Sequence, residues 1–244
     1  MRRWTALVLA GGRGERLRPF TEDRPKPMVL INDKPLLHYH LGWLQRGGVA
    51  TVYILCGYKH EVIRQYFGDG ETVGMSLHYV VEEEPLGRGG ALKRGLSLLP
   101  PGLEVVIVTN GDIITDQSLE ELVRAHQEHK GLGTVMLSPL VCPWGIVMAE
   151  EQGRVKDFLE KPVLPYWVNA GVYVMDPAIR EHLPERGDHE TTSFPALAKE
   201  GKLYAFKSSA LWLAVDTVKD LNQACQLLGR GGQAGHPPPP VMRQ

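Results

Sequence analysis

Three glycines followed by two spaced cations are the part of this sequence best suited to chemistry. Gly11, Gly12 and Gly14 come directly after an apolar run, and Arg16 and Lys26 follow them. Glycine leaves its backbone N–H group unshielded, and consecutive unshielded N–H groups form a concave site for an anion. Arginine and lysine beside such a site neutralise phosphate oxygens. The spacing therefore predicts a site for a polyphosphate.

Lys26 lies between Pro25 and Pro27, and proline on both sides predicts a rigid segment that does not form a helix. The loop is neither of the two common phosphate loops. It lacks the Lys-Ser/Thr ending of a P-loop, and Leu17 stands where a dinucleotide-binding fingerprint needs its third glycine. A tight turn with arginines facing water is the alternative interpretation of the glycines alone. The fixed spacing of Arg16 and Lys26 from the glycines favours the phosphate site.

Two aspartates at strand ends are candidates for a metal site. Asp112 and Asp216 each follow an apolar run, and Mg²⁺ is usually held by one or two carboxylates plus substrate phosphates. A lone aspartate after a strand is often only a turn or capping residue, and we assign Asp116 that role. The 9 histidines show no metal-binding spacing. The phosphate loop is the reason to pair Asp112 with Asp216.

Apolar periodicity predicts strands and helices in alternation along most of the chain. The alternation indicates an α/β fold with a mostly parallel sheet and helices on both faces. Ligands of such sheets bind at the carboxyl ends of the strands, so the glycine loop, Asp112 and Asp216 are expected to meet at one edge. The predicted helices span residues 36–46, 59–67, 91–99, 118–129, 192–200 and 218–228, and the main predicted strands 5–10, 51–56, 77–81, 104–109, 133–140, 145–149, 154–159, 168–175, 203–206 and 211–215.

Composition limits the kind of protein. The chain has 244 residues and a net charge of −1, with basic residues spread out, which argues against a nucleic-acid partner. No apolar run approaches the ~20 residues of a membrane helix. The 3 cysteines are far apart and are expected to be reduced core residues, so we predict a cytoplasmic protein. We expect one catalytic domain at 1–228 and a flexible Gly/Pro-rich tail at 229–244, and leave a homo-oligomer open.

Several motifs together resemble one family. AGGRGERLRPFTEDRPKPM, EEEPLGRGGAL, VTNGD, WGIV, EKP and VNAGVYV occur in this order between residue 10 and residue 174. They are similar to the pattern of sugar-1-phosphate nucleotidyltransferases, and the resemblance covers residues 5 to about 228. It implies a Rossmann-like mixed α/β domain. It also implies a reaction of a nucleoside triphosphate with a sugar 1-phosphate, with Mg²⁺, that yields a nucleotide sugar and pyrophosphate.

The resemblance also implies roles for individual residues. Arg16 and Lys26 would hold the reacting phosphates, and Asp112 would bind Mg²⁺. Sugar-phosphate contacts would come from Gly145, Glu160, Lys161 and Asn169. The nucleotide would contact Leu9, Ala10, Gly11, Gly12, Gly14, Glu82, Pro85, Gly87 and Gly111.

One departure from the family pattern concerns the metal. Many members read W-x-D-x-G-T near the end, whereas this chain has Ala214 at that aspartate position and Asp216 two residues later. Two residues along a strand return to the same face, so Asp216 is expected to reach the ion. The sugar cytidylyltransferases of the family have a similar W-x-x-x-D-T, whereas the segment from Glu82 to Gly90 resembles mannose- or heptose-1-phosphate guanylyltransferases.

We therefore predict guanylyl transfer to mannose or heptose 1-phosphate. An ionised Glu82 offers only acceptors, which suits the two adjacent donors of guanine. Cytidylyl, thymidylyl or uridylyl transfer to glucose 1-phosphate or a related sugar phosphate is the alternative. A non-catalytic homologue that senses nucleotide sugars is the alternative of another class, although it would be expected to lose Arg16, Lys26 or Asp112. Glu82 facing solvent beside Glu83 is the competing interpretation of the base contact.

Overall fold

The computed structural model describes residues 4–229. Its strands are β1 (Trp4–Leu9), β2 (Leu30–Ile31), β3 (Lys34–Pro35), β4 (Val49–Cys56), β5 (Ser76–Val81), β6 (Val106–Asn110), β7 (Ile113–Thr115), β8 (Gly133–Val141), β9 (Ile146–Ala149), β10 (Val155–Leu159), β11 (Val163–Met175), β12 (Leu203–Lys207) and β13 (Trp212–Ala214). Its α-helices are α1 (Leu36–Arg46), α2 (His60–Phe67), α3 (Gly87–Ser97), α4 (Leu119–Gln127), α5 (Ser193–Lys199) and α6 (Val218–Gly229). The predicted tail beyond Gly229 lies outside the described residues.

A 7-stranded sheet forms the centre, in the order β12-β8-β11-β6-β1-β4-β5. The neighbours β6, β1, β4 and β5 run parallel, and β11 runs antiparallel to both β6 and β8. This confirms the predicted mixed, mostly parallel sheet. Because β6, β1, β4 and β5 share a direction, their carboxyl ends lie along one edge of the sheet.

Helices cover both faces of the sheet, as predicted. The alternation of side chains along a strand sends Ala6 and Val8 to one face and Leu7 to the other. Ala6 and Val8 pack with buried residues of α1, α2 and α4. Leu7 packs with buried residues of α3 and α5. A third apolar cluster joins α6 to β13 and to the segment around Leu17. The last helix is thereby fastened beside the glycine loop.

Helix α3 begins at Gly87, four residues earlier than predicted. Glycines disfavour helix, which is why the pattern placed the start at residue 91. Here close packing requires them: a Cβ on Gly87 would lie 2.6 Å from the carbonyl oxygen of Gly187, and one on Gly90 would lie 2.4 Å from that of Glu185. The glycines therefore let the start of α3 pack against the backbone at residues 185–187.

Two further local predictions need correction. The segment around Lys26 forms a single 3-10 turn, Lys26–Met28. Pro27 fits near the start of this turn because the N–H group that proline lacks is not needed there. Strand β7 was missed because it is only 3 residues long. The expectation of core cysteines is correct for Cys56 and wrong for Cys142 and Cys225, which are only partly buried; all 3 are free. In the described part of the chain, the helices are too short or too polar to span a bilayer.

Candidate active site

The glycine loop starts where β1 ends. Ala10 is buried, and its N–H group donates to the carbonyl oxygen of Leu55 at 2.8 Å, which ties the loop to β4. Gly11 and Gly12 are exposed. A Cβ added to either would meet no atom closer than 3.9 Å. The fold therefore has room for side chains at these two positions, so a ligand close to the backbone is the better reason for glycine there.

Gly14 has a different role in the loop. Its φ is +66°, and a Cβ there would lie 2.8 Å from Cβ of Lys26 and 2.9 Å from Cγ2 of Thr21. The hydroxyl of Thr21 donates to the carbonyl oxygen of Gly14 at 2.8 Å. Only glycine allows this left-handed backbone and this close approach together. Gly14 therefore acts by positioning Lys26.

Lys26 joins the two predicted carboxylates. Its Nζ atom lies 2.5 Å from Oδ2 of Asp112 and 2.5 Å from Oδ1 of Asp216, and its side chain is 11% exposed. Nη2 of Arg16 lies 2.9 Å from the same Asp216 oxygen. The structure thus brings together Arg16, Lys26, Asp112 and Asp216, and we call these four residues the cation–carboxylate cluster. A cavity of about 330 Å³ adjoins it, lined also by Arg13, Gly14 and Glu15.

Asp216 reaches the cluster by a route that the sequence did not predict. Asp112 follows β6 in the central sheet, as expected. Asp216 follows β13, which pairs antiparallel with β7 in a separate two-stranded sheet. The N–H group of Val215 donates to the carbonyl oxygen of Asp112 at 3.0 Å. This antiparallel pairing, and not a shared row of parallel strand ends, brings the two aspartates together.

The start of α6 holds the backbone of Asp216. Oδ2 of Asp220 accepts the N–H groups of Asp216 at 3.2 Å and of Thr217 at 2.8 Å, and the Thr217 hydroxyl accepts the N–H of Asp220 at 3.3 Å. This is a reciprocal cap between residues three apart. The Thr-x-x-Asp pattern was visible in the sequence and was missed.

The carboxylates of the cluster stay ionised because cations surround them. Burial raises the pKa of the Asp216 carboxyl, but Lys26 and Arg16 outweigh burial and hold the pKa below its usual value. No group of three or more His, Cys, Asp and Glu side chains between residues 4 and 229 gathers as a metal site. Two carboxylates that already meet at one cation nevertheless provide hard oxygen ligands. Phosphate and water oxygens usually complete such a Mg²⁺ site.

Glu82 follows β5, two strands away from the glycine loop that follows β1. A Cβ on Gly11 would lie 3.9 Å from the backbone nitrogen of Gly57, and one on Gly57 would lie 3.8 Å from the carbonyl oxygen of Glu82. Glu82 is half-buried, and its Oε2 accepts the N–H of Leu86 at 3.1 Å. Pro85, in the same loop, is exposed. Glu82 therefore closes its own loop with one oxygen, and within residues 4–229 its Oε1 has no hydrogen bond.

The predicted sugar-phosphate residues are more exposed. A Cβ on Gly145 would lie 2.8 Å from Cζ of Phe158 and 3.0 Å from Oε2 of Glu160. Nζ of Lys161 is 3.6 Å from Oε1 of Glu160, and the two side chains are 58% and 62% exposed. In the described part of the chain, no ion pair or hydrogen bond joins these residues to Lys26. Their assignment to the site stays a prediction.

Asn169 lies at the same edge of the sheet as Asp112. Its Oδ1 accepts the N–H of Gly171 at 2.9 Å. A Cβ on Gly171 would lie 2.5 Å from Nδ2 of Asn110, two residues before Asp112. Gly111 donates its N–H to the carbonyl oxygen of Leu9 at 2.9 Å, which joins the ends of β6 and β1.

Two charged residues near these groups, Arg13 and Glu190, were not predicted from the sequence. Arg13 lines the 330 Å³ cavity, and its guanidinium carbon lies 5.7 Å from the ring centroid of Tyr58. Glu190 accepts a hydrogen bond from Asn169 at 2.9 Å. The position of Arg13 inside the glycine run was an available indication. Glu190 comes from a loop that only tertiary structure brings to Asn169.

A larger cavity, of about 1260 Å³, lies at the opposite end of the sheet. Its lining includes Trp4, Val49 and Ser76, the first residues of β1, β4 and β5. Ligands of open α/β sheets bind at the carboxyl ends of the strands. We therefore place the candidate site at the smaller cavity beside Lys26.

The chain is similar to known proteins along most of its length. The model of the family described as nucleotidyl transferase matches residues 5–230. The catalytic subunit beta of mannose-1-phosphate guanylyltransferase from Drosophila pseudoobscura pseudoobscura is 34% identical over 221 residues, which are 88% of this chain and 60% of that protein. The subunit of the same name from Dictyostelium discoideum is 35% identical over 222 residues, covering 88% and 62%. The chain thus spans less than two thirds of the length of these relatives.

Solved structures also match. HddC from Yersinia pseudotuberculosis superposes with a TM-score of 0.74 and 26% identity, covering 91% of this chain and 98% of that chain. The same protein complexed with GMP-PN gives a TM-score of 0.73 at 26% identity, with the same coverage. This chain therefore matches nearly the whole length of one solved relative.

Proposed function

Because the chain belongs to the nucleotidyl transferase family, we propose that it is a sugar-1-phosphate nucleotidyltransferase. It joins a nucleoside triphosphate to a sugar 1-phosphate and releases pyrophosphate. The observation that carries the proposal is the cation–carboxylate cluster beside the glycine loop, in which Lys26 lies 2.5 Å from both Asp112 and Asp216. A protein that only sensed nucleotide sugars would not need both cations and both carboxylates.

The proposed reaction is an in-line displacement at the α-phosphorus. A phosphate oxygen of the sugar 1-phosphate forms the new P–O bond, and the bond between the α-phosphorus and the bridging oxygen breaks. The nucleophile is already an anion, so no proton has to be removed and no general base is required. The task of the protein is to align two anions that repel each other and to neutralise their charge.

The glycine loop and the cation–carboxylate cluster divide this task. The bare N–H groups of Gly11 and Gly12 donate hydrogen bonds to triphosphate oxygens. Arg16, whose side chain is 71% exposed, reaches the departing β- and γ-phosphates. Lys26 is largely buried and so presents its charge at a fixed point, where it costs little reorganisation during the reaction.

Asp112 and Asp216 would hold Mg²⁺, which stabilises negative charge on the transferring phosphoryl group when it is bound. The support is the chemistry of the two carboxylates and their convergence on one cation. In the free protein, Lys26 compensates their charge. On this proposal, substrate phosphates compete for Lys26 and leave carboxylate oxygens available to the ion.

For the base, we propose guanine. The named relatives are mannose-1-phosphate guanylyltransferases, and one structural relative was solved with GMP-PN. Glu82 offers acceptors to the two adjacent donors of guanine. Because its Oε2 already accepts the Leu86 N–H, Oε1 is the oxygen available for the base. Mannose or heptose 1-phosphate is the proposed sugar substrate.

A pyrophosphate-release assay tests the proposal. GTP, CTP, UTP and dTTP are each combined with mannose, heptose and glucose 1-phosphate. Turnover with GTP and mannose or heptose 1-phosphate is the expected result. Preference for CTP would point to the cytidylyltransferase alternative, and no turnover with any pair would favour a sensing role.

The base contact has its own test. In Glu82→Gln, we expect the ratio of kcat/KM for GTP to that for dTTP to fall by as much as ~10⁴, and by less if the contact is partly wet. Glu84, which is exposed and pairs with Arg186 at 2.8 Å, provides the matched control Glu84→Gln, expected to leave base preference unchanged. Unchanged preference in both variants would remove Glu82 from the base site.

A further inference from the structure

Glu190 collects donors from two separate elements. On β11, Nδ2 of Asn169 and the hydroxyl of Tyr173 each donate to Oε1 of Glu190 at 2.9 Å. From the start of α3, Nη2 of Arg88 lies 2.7 Å from Oε2. The side chain of Glu190 is only 26% exposed. A carboxylate removed this far from water needs such partners, so the contacts constrain one another.

The Asn169 amide is held on both sides. Its Oδ1 accepts the N–H of Gly171 at 2.9 Å, and its Nδ2 donates to Tyr173 at 2.9 Å as well as to Glu190. These partners decide which end of the amide is the oxygen. Asn169 nevertheless remains exposed. The result is an amide of fixed orientation that is exposed at the protein surface.

The ionisation states of the neighbours agree with this arrangement. Burial raises the pKa of the Tyr173 hydroxyl well above its usual range, and the Glu190 carboxylate raises it further, so Tyr173 remains a donor. Burial alone would lower the pKa of the Arg88 guanidinium. Hydrogen bonds and charge from Asp188 and Glu190 outweigh that effect, and the pKa lies above its usual value.

Arg88 connects this group to the base side of the site. It follows Gly87, at the end of the loop that Glu82 closes through Leu86. Its guanidinium donates to Oδ2 of Asp188 through Nε at 2.8 Å and through Nη2. The loop that carries Asp188 and Glu190 is thereby attached to α3.

From these contacts we infer that Glu190 is a positioning residue for the sugar 1-phosphate. It fixes the amide of Asn169 in the orientation that receives that substrate, and Arg88 holds Glu190 in place from α3. This inference rests on the proposed function. The triphosphate binds at the glycine loop and does not depend on this contact.

Three variants separate positioning from packing. Glu190→Ala removes the acceptor of Asn169, and we expect the KM for the sugar phosphate to rise on the order of tenfold or more, the scale of a lost hydrogen bond to a charged group. The KM for the triphosphate should stay within about twofold. Glu190→Gln keeps an oxygen for Asn169 and Tyr173, so it should recover most of the loss.

Asp188→Asn is the matched control. It weakens the contact of Arg88 with the same loop but keeps Oδ1, which accepts the Glu190 N–H at 2.9 Å, and it leaves Asn169 untouched. We expect a nearly wild-type KM for the sugar phosphate. An equal rise in Asp188→Asn and Glu190→Ala would show that loop packing causes the effect and would overturn the inference.

The measurement uses the substrate pair that the wild type prefers in the pyrophosphate assay, with thermal unfolding of each variant. If Glu190→Ala does not fold, Tyr173→Phe replaces it, because it removes one partner of Asn169 and keeps Glu190. A selective rise in the sugar-phosphate KM supports the inference. An active wild type with unchanged KM in these variants overturns the inference alone, whereas an inactive wild type overturns the proposed function as well.

Discussion

Lys26 and Lys161 are each followed by a proline, but the protein supports the two lysines very differently. Lys26 is packed against Gly14 and is 11% exposed, with two carboxylates at 2.5 Å. Lys161 is 58% exposed, and its partner Glu160 lies 3.6 Å away. Lys26 therefore presents its charge in a geometry that the fold holds. Lys161, which we propose for the sugar phosphate, presents its charge on an exposed side chain.

The surroundings of the two lysines repeat this difference. The segment around Lys26 is held by the core. Residues 141–166 carry most of the exposed large apolar side chains of the described chain, including Trp144 at 74%, Phe158 at 60% and Tyr166 at 65%. Charges held in a fixed, partly buried geometry act on a transition state without reorganisation, whereas exposed ones are screened by water. We expect catalysis to be concentrated at Lys26 and substrate selection at the exposed side.

The largest difference is expected when each lysine in turn is replaced by alanine. Lys26→Ala should lower kcat/KM by on the order of 10²–10³, the cost of one preorganised charge contact. Lys161→Ala should cost about tenfold and act mainly on the KM for the sugar phosphate, because exposed charge contacts are weak. Steady-state kinetics with both substrates varied measures the two effects. Equal losses in kcat would contradict the proposed division.

Asp112 and Asp216, the two carboxylates at Lys26, provide a second test through the Mg²⁺ requirement. Asp112→Asn and Asp216→Asn should each raise the Mg²⁺ concentration needed for half-maximal rate about tenfold or more, since even partners in the outer shell of a metal cost that much. The matched control is Asp116→Asn, because Asp116 caps the Leu211 N–H at 2.8 Å instead of meeting Lys26. If Asp112→Asn is inactive and Asp216→Asn behaves like the wild type, the second metal ligand is a different residue.

Two glycines distinguish support of the fold from contact with the ligand. Gly14→Ala places a Cβ 2.8 Å from Lys26 at a φ of +66°, and the left-handed backbone alone costs about 1–2 kcal/mol. At roughly 2–4 °C per kcal/mol for a chain of this size, the Tm should fall by several degrees. Gly12→Ala meets no atom within 4 Å, so the Tm should be unchanged while the KM for the triphosphate rises. Similar Tm losses would show that Gly12 also supports the fold.

The smallest effect concerns acid stability. The pKa of Asp216 is lowered in the folded protein, so between the folded and unfolded pKa values the unfolded chain binds more protons. The contribution of ionised Asp216 is therefore fully present above the usual aspartate pKa and is lost as the pH falls through the folded value. The Tm difference between wild type and Asp216→Asn should shrink as the pH falls below about 4. A difference that widens on acidification would contradict this sign.

Local patterns predicted most of the fold. The 11 residues of α1 were predicted at their observed bounds, because apolar spacing before Gly47 and Gly48 specifies a helix with a defined end. The alternation of strands and helices predicted the mostly parallel sheet. The glycine run, the two cations and Asp112 could be located because each directly follows, or lies at a fixed offset from, a strand that the sequence identifies.

Only the tertiary structure decided where the remaining groups lie. Asp216 meets Lys26 because β13 pairs with β7, which is too short to recognise from its sequence. The glycines of α3 are helical because packing against the backbone at residues 185–187 outweighs their low helix propensity. Glu190 reaches Asn169 across 21 residues of chain through contacts that no local pattern records. A sequence specifies its strands and turns through neighbouring residues, whereas pairing between distant segments depends on how their surfaces fit once the core has formed.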